Sequence, residues 1–194
     1  MTAGTSAAAT PPRVVALGGG HGLAASLSAL RRVSGDLTAV VTVADDGGSS
    51  GSLRRQYGVL PPGDLRMALA ALCGDDDWGT TWSKVVQHRF GGDGGLAGHA
   101  LGNLLIVALW DLLGDPVEGL EWVGRLLGTQ GRVLPMSSVP LDIVAEVEGA
   151  DPARPAEVTR VRGQHACAST AGRVRSISRR RLFPAFPPIF RPNS

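Results

Sequence analysis

The sequence predicts an α/β fold of the Rossmann-like kind: a mostly parallel sheet with flanking helices, plus a small antiparallel strand element. Three observations carry this. Residues 13–17 (RVVAL) form a short apolar, β-branched run stopped by Gly18-Gly19-Gly20, the pattern of a buried strand feeding a tight loop. Leu23, Leu27 and Leu30 then recur at helical spacing, which predicts a helix from near Gly22 to about Val33. Residues 37–43 (LTAVVTV) read as a second buried strand. A strand, a helix and a strand within about 30 residues make a βαβ unit, with parallel pairing and a right-handed crossover.

The rest of the chain extends this plan. Residues 44–52 (ADDGGSSGS) read as a polar, glycine-rich loop at the end of the second strand. Pro61-Pro62-Gly63-Asp64 is a turn and cap ahead of a helix through Leu65, Ala68, Leu69 and Leu72. Helices are expected over 82–90, over the strongly apolar 98–113 and over 116–127, the last with Pro116 in its first turn. The pattern then turns to strands at 132–134, 141–148 and 157–163. Leu141, Ile143, Ala145 and Val147 alternate with Asp142, Val144, Glu146 and Glu148, as in a half-exposed antiparallel strand. An antiparallel element is therefore expected near 132–163.

Composition narrows the function classes. The 194 residues suffice for one ordinary domain with a core. No apolar run reaches the roughly 18 residues of a membrane span. The 27 glycines fall in clusters without a period, against a collagen-like repeat. Residues 1–157 carry 11 basic and 17 acidic side chains, a balance of −6, whereas residues 158–194 carry 8 Arg and no acid. The pI near 8.9 thus comes from the tail and is not a nucleic-acid footprint of the whole domain. Residues 1–12 lack a basic start and an apolar stretch, so they do not read as a secretory signal but as a disordered leader. Cys73 and Cys167 stand far apart and outside any CxxC pattern, which suits two free thiols in a cytoplasmic protein. The domain proper is placed at 13–178. Residues 179–194 are expected to be a disordered tail, because Pro184, Pro187, Pro188 and Pro192 exclude a regular helix or central strand.

Four motifs carry candidate chemistry. Gly18, Gly19, Gly20, His21 and Gly22 sit at a strand-to-helix turn. There, free backbone N–H groups and the helix dipole attract phosphate. Gly20 to Ala25 also match the GxGxxA dinucleotide fingerprint, while the lack of a following Lys-Ser/Thr argues against a P-loop. The same glycines could serve only as a structural turn. Asp45 and Asp46 are placed to hold Mg²⁺, ribose hydroxyls or a substrate hydroxyl, and Gly47, Gly48, Ser49 and Ser50 can donate to phosphate oxygens. A merely solvated loop is the alternative. Asp64 is a helix cap or a ligand group, and one turn on, Arg66 suits a phosphate or a surface carboxylate. His99 and Asn103, four apart, share one face of an apolar helix and suit a base or sugar, or else are satisfied core polar groups.

Together these segments resemble a known family. GGGHGL, VADDGGSSG, PPGDLR, GHALGNLL and VLPMSS, in that order, are similar to the gluconeogenesis-factor (YvcK-like) proteins of the wider CofD-like, 2-phospho-L-lactate transferase group. The resemblance implies a cytoplasmic, Rossmann-like protein that binds UDP-sugars and supports cell shape and growth on gluconeogenic carbon sources. On that footing Gly18 to Gly22 would take the diphosphate, Asp45 and Asp46 the sugar or a metal, and Asn103 the nucleoside or sugar. The alternatives are a Mg²⁺-dependent phospholactate-type transferase, a binder of NAD acting as an oxidoreductase, and a non-functional product. His21 stands where the family usually has Thr. Because the family is longer and the pattern fades near Ile177, a truncated or frame-shifted chain lacking later strands is expected. Oligomeric assembly is left open.

Overall fold

The computed structural model describes residues 12–181. The expected leader over residues 1–11 and the tail beyond 181 lie outside the described residues. The chain runs β1 (Arg13–Gly18), α1 (Gly20–Leu30), β2 (Asp36–Val41), α2 (Gly48–Tyr57), α3 (Pro62–Ala71), α4 (Asp77–Gln87), α5 (Leu101–Leu113) and α6 (Pro116–Leu127). It continues through β3 (Arg132–Pro135), β4 (Leu141–Glu148), β5 (Val158–Arg162), α7 (Gln164–Ser169) and β6 (Arg173–Arg181).

β1, β2 and β3 form one parallel sheet in that order. Val15 lies opposite Thr38, and Ala39 opposite Val133. Leu37, Ala39 and Val41 of β2 and Val133 of β3 face inward and are buried. Against them pack Leu27 of α1, Leu65, Leu69 and Leu72 of and beside α3, Ile106 of α5, and Leu120 and Leu127 of α6. Each such side chain contributes roughly 1.5–3 kcal/mol by leaving water, so this one cluster holds the layer together. On the opposite face, Val15 and Leu17 remain 61% and 69% exposed. Strand alternation explains the contrast, since neighbouring residues point to opposite sides.

β5, β4 and β6 form a second, antiparallel sheet in that order. Two expectations about strands need correction. The run at 132–134 does not join the antiparallel element; it is the third parallel strand. Arriving from α6, it drops Val133 into the shared core, and a four-residue strand is too short for alternation to announce its partner. β6 pairs with β4 through Arg181, opposite Leu141, so the strand runs past the expected boundary at 178. Arg-rich sequence hides it, yet β4 offers Glu148 and Glu146, which accept from Arg175 and from Ser176 Oγ.

Two helices were also hidden, α7 and α2. The stretch 44–52 is not all loop, because α2 starts within it at Gly48. Its first turns are Gly and Ser, so no apolar period shows. Burial of Leu53 and Arg54 and the left-handed Gly58 at its end hold it in place. α6 spans the expected residues, Pro116–Leu127, whereas α4 and α5 begin a few residues from their expected starts, at Asp77 rather than 82 and at Leu101 rather than 98.

Candidate functional site

Open parallel sheets bind ligands beyond the carboxyl ends of their strands. A polar cavity of about 660 Å³ lies there. β1 leads into it through Gly19, Gly20 and His21, and Thr42 and Asp45 follow the end of β2. The start of α2 contributes Gly47, Gly48, Ser49 and Ser50. The start of α3 adds Gly63, Asp64, Arg66 and Met67, and α5 adds Asn103. Arg89 and Gln164 complete the lining. Eleven of the fifteen residues singled out from the sequence therefore share one cavity wall.

Glycine is required where the walls meet. A Cβ on Gly19 would overlap Thr42 Oγ1 and Asp64, and one on Gly63 would overlap Ser50 Oγ. Gly20 and Gly48 adopt positive φ, at 62° and 48°, which L side chains disfavour. Helix capping varies, and α5 and α7 start without a side-chain cap bond. α4 and α6 lie away from the cavity and have Asp caps: Asp76 accepts from Gly79 N, and Asp115 from Val117 N and Glu118 N. α1, α2 and α3 open onto the cavity with Gly19, Gly47 and Pro61 as N-caps, and none of these gives a side-chain cap bond. Helix starts without caps leave N–H donors and a partial positive charge for an incoming group.

Behind this cradle runs a buried polar chain. Arg66 Nε donates to Asn103 Oδ1 at 2.9 Å, and its Nη1 donates to Gln87 Oε1. Asn103 Nδ2 donates to Ser49 Oγ at 3.0 Å, and Ser49 Oγ meets His99 Nδ1 at 3.1 Å. Arg66 is 6% exposed and Asn103 1%. The Arg66 pKa is pushed down, first by burial and then by the neighbouring Arg89. Among the described residues neither guanidinium lies within ion-pair distance of a carboxylate, whereas Arg54, Arg132 and Arg162 all do. Arg66 and Arg89 line the same cavity as the carboxylates of Asp45 and Asp64, and the Asp64 charge partly opposes the fall in the Arg66 pKa.

Two carboxylates line the same cavity. Asp64 accepts from Thr42 Oγ1 at 3.1 Å, and its carboxyl is pushed up, chiefly by burial, with the Asp45 charge adding to the rise. Asp45 accepts from Gly47 N at 3.0 Å, which shapes the loop. Two oxygen-bearing groups facing one cavity, beside phosphate-type donors, fit a Mg²⁺ ion that draws its remaining ligands from substrate and water. Among the described residues no three His, Cys, Asp or Glu side chains gather as a ready cage.

The pH consequence has a definite sign. The folded-state pKa of Asp64 lies above the unfolded value near 3.8, so ionisation penalises the fold. The penalty is absent below the unfolded pKa and complete above the folded one. Asp64→Asn keeps an acceptor for Thr42 and should raise the melting temperature at pH 7 without metal. That gain should vanish as pH falls toward 3. A variant less stable than the parent at pH 7 would contradict the charge argument.

The remaining expected site residues lie elsewhere. Gly18 closes β1, where its carbonyl accepts from Thr42 N. Gly22 lies inside α1. His99 stands behind the wall, touching Ser49. Asp46 turns away from Asp45 and accepts from His165 N at 2.9 Å, which separates the pair proposed for metal. Thr42, Gly63, Met67, Arg89 and Gln164 were not foreseen. Thr42, one residue past β2 at the carboxyl edge, was the only one with a positional signal.

A parallel sheet with a glycine-lined cavity at its carboxyl edge defines a Rossmann-like α/β protein. Residues 14–183 match the family model described as 2-phospho-L-lactate transferase CofD, and the chain belongs to this CofD family. A Mycobacterium leprae relative is 56% identical over 182 residues, which are 94% of this chain and 50% of the relative. The gluconeogenesis factors of Listeria monocytogenes and Bacillus subtilis are 42% and 41% identical, over 80% and 71% of this chain and 48% and 42% of their own. A crystal structure of a Bacillus halodurans protein superposes with a TM-score of 0.75 at 34% identity, over 86% of this chain and 50% of that one. The chain thus spans about half the length of the curated relatives it matches. Among the described residues no helix is long and apolar enough to cross a membrane.

Proposed function

We propose that this chain carries the diphosphate-binding part of a gluconeogenesis-factor-type protein that binds UDP-sugars in the cytoplasm, in support of cell shape and of growth on gluconeogenic carbon sources. The observation that carries the binding role is the convergence of three uncapped helix starts and two guanidiniums without carboxylate partners on one cavity. Backbone N–H groups at Gly20, Gly48 and Gly63 would donate to phosphate oxygens. Arg66 has committed Nε and Nη1 to Asn103 and Gln87, which leaves Nη2 for the ligand. A phosphate would pair directly with the Arg66 guanidinium, which among the described residues has no carboxylate within ion-pair distance. The family relation supports the physiological role.

A second reading rests on the Asp45–Asp64 pair and on the family description: a Mg²⁺-dependent phospholactate-type transferase. In it Asp45 and Asp64 would hold the metal, which would neutralise phosphate charge and help orient an attacking hydroxyl. Calorimetric titration with UDP-glucose, GDP and NAD, with and without Mg²⁺, tests the first reading. UDP-glucose should bind tightest and NAD least. Turnover of a phospholactyl–nucleotide donor onto a deazaflavin acceptor would favour the transferase instead.

A further inference from the structure

Asp46 looks from sequence like the twin of Asp45, but it does different work. Its Oδ1 accepts from His165 N, in the first turn of α7, 119 residues along the chain. Its other oxygen lies where a Cβ on Gly163 would fall. Gly163 itself sits at φ 100°, strained for any L side chain, and its N–H donates to Ile143 O of β4 at 2.8 Å. Residue 163 is therefore glycine both for its backbone and to admit the Asp46 carboxylate. The next residue, Gln164, lines the cavity rim.

A second fastening lies at the far end of α2, the helix that follows Asp46. Arg54 of α2 is buried and donates through Nη2 to Leu141 O at 2.7 Å and to Asp142 Oδ1 at 2.5 Å. Arg162 binds the other oxygen of Asp142. The antiparallel sheet is thus tied to α2 at two points, just before its first residue and near its last turn. The first residues of α2 form the phosphate cradle. Whatever seats that helix also seats the small sheet.

We propose that Asp46 is a positioning residue that latches α7 onto the loop before α2, so that Gln164 reads the part of the ligand beyond its phosphates. The proposal rests on the diphosphate reading given above. A primary amide offers two donors and an acceptor, which suits a hydroxyl-bearing group such as a sugar. The phosphates themselves would be met by backbone and Arg66. Loss of the latch should therefore cost affinity for a nucleotide-sugar and spare affinity for bare pyrophosphate.

Four variants test this: Asp46→Ala, Asp46→Asn, Gly163→Ala and Gln164→Ala, each checked by thermal melting for folding. The probes are UDP-glucose and inorganic pyrophosphate, titrated by calorimetry. Asp46→Ala, Gly163→Ala and Gln164→Ala should each weaken UDP-glucose about tenfold, the scale of one charge-assisted or buried hydrogen bond. Pyrophosphate should change less than about twofold. Asp46→Asn keeps an acceptor for His165 N and should bind UDP-glucose nearly as the parent does. If Asp46→Asn instead loses both probes while Gly163→Ala loses neither, Asp46 touches ligand or metal directly and the proposal is wrong. Parent-like UDP-glucose binding by Gln164→Ala overturns the reading role of that side chain. If the parent binds neither probe, the diphosphate reading fails, and the role of Gln164 fails with it. The latch is then judged by hydrogen exchange of the α7 amides. Faster exchange in Asp46→Ala than in Asp46→Asn upholds the latch, and equal rates overturn it.

Discussion

Arg66→Met is expected to abolish phosphate-ligand binding while leaving a folded chain. The guanidinium is buried, holds Asn103 and Gln87, and lacks a carboxylate partner among the described residues. Removing one side of a buried charged pair costs about 2–5 kcal/mol, here a loss of roughly 30-fold to several thousand-fold in affinity. Met fills similar volume and removes a buried charge that the empty fold must bear, so stability should fall by less than binding does. Arg66→Lys keeps the charge without the fork and should fall between the two. Pyrophosphate affinity within about threefold of the parent in Arg66→Met, a difference under 1 kcal/mol, would remove Arg66 from the site.

The largest expected effect on stability belongs to Gly51→Ala. Gly51 lies in the first turns of α2, its N–H bonded to Gly47 O at 2.8 Å. A methyl group there would fall on the backbone carbonyl of Asp46, with Arg55 Nη1 3.0 Å away on another side. A side chain could swing aside; the Asp46 carbonyl belongs to the turn that shapes the cradle and cannot. Overpacking costs about 1–3 kcal/mol and more when backbone must shift. Taking about 3 kcal/mol for a backbone clash, at 2–4 °C per kcal/mol for a chain of this size, the melting temperature should drop by about 6–12 °C. Gly20→Ala is the control: nothing lies within 4 Å of its added Cβ, so it should suffer only the cost of its positive φ, about 1–2 kcal/mol. A smaller drop for Gly51→Ala than for Gly20→Ala would contradict the packing described for α2.

The parallel sheet was legible because its strands are buried runs and its first helix repeats leucines at helical spacing. Most of the cavity was legible for a related reason. Glycines, paired acids and serines at strand ends have few structural uses in that density, and the ends of β1 and β2 lie side by side. What stayed hidden is instructive. α2 escaped notice because Gly48 to Ser52 carry no apolar period, and its stability comes from Leu53 and from the Arg54–Asp142 pair formed 88 residues apart. Arg89, in an isolated bridge to Ala100, and Gln164, at the start of α7, reach the cavity through tertiary packing alone. Asp45 and Asp46 looked equivalent, yet successive side chains on an extended segment point opposite ways, so one lines the cavity and the other reaches α7. The polar contacts of Asn103 confirm that a polar residue in an apolar helix needs partners, though sequence could not say that Arg66 and Ser49 would supply them.

The central claim is that three uncapped helix starts and Arg66 form one phosphate cradle at the carboxyl edge of the parallel sheet. The most direct test is a ¹⁵N-resolved titration of the labelled chain with UDP-glucose, followed by amide shifts. The amides of Gly20, His21, Gly48, Ser49, Gly63 and Asp64 should move together with a single saturation curve, and the ³¹P signals of the ligand should shift on the same curve. The smaller cavity of about 330 Å³ beside Glu121, Arg125 and Arg132 should stay silent. Shifts confined to that second cavity, or motion at only one of the three helix starts, would contradict the account.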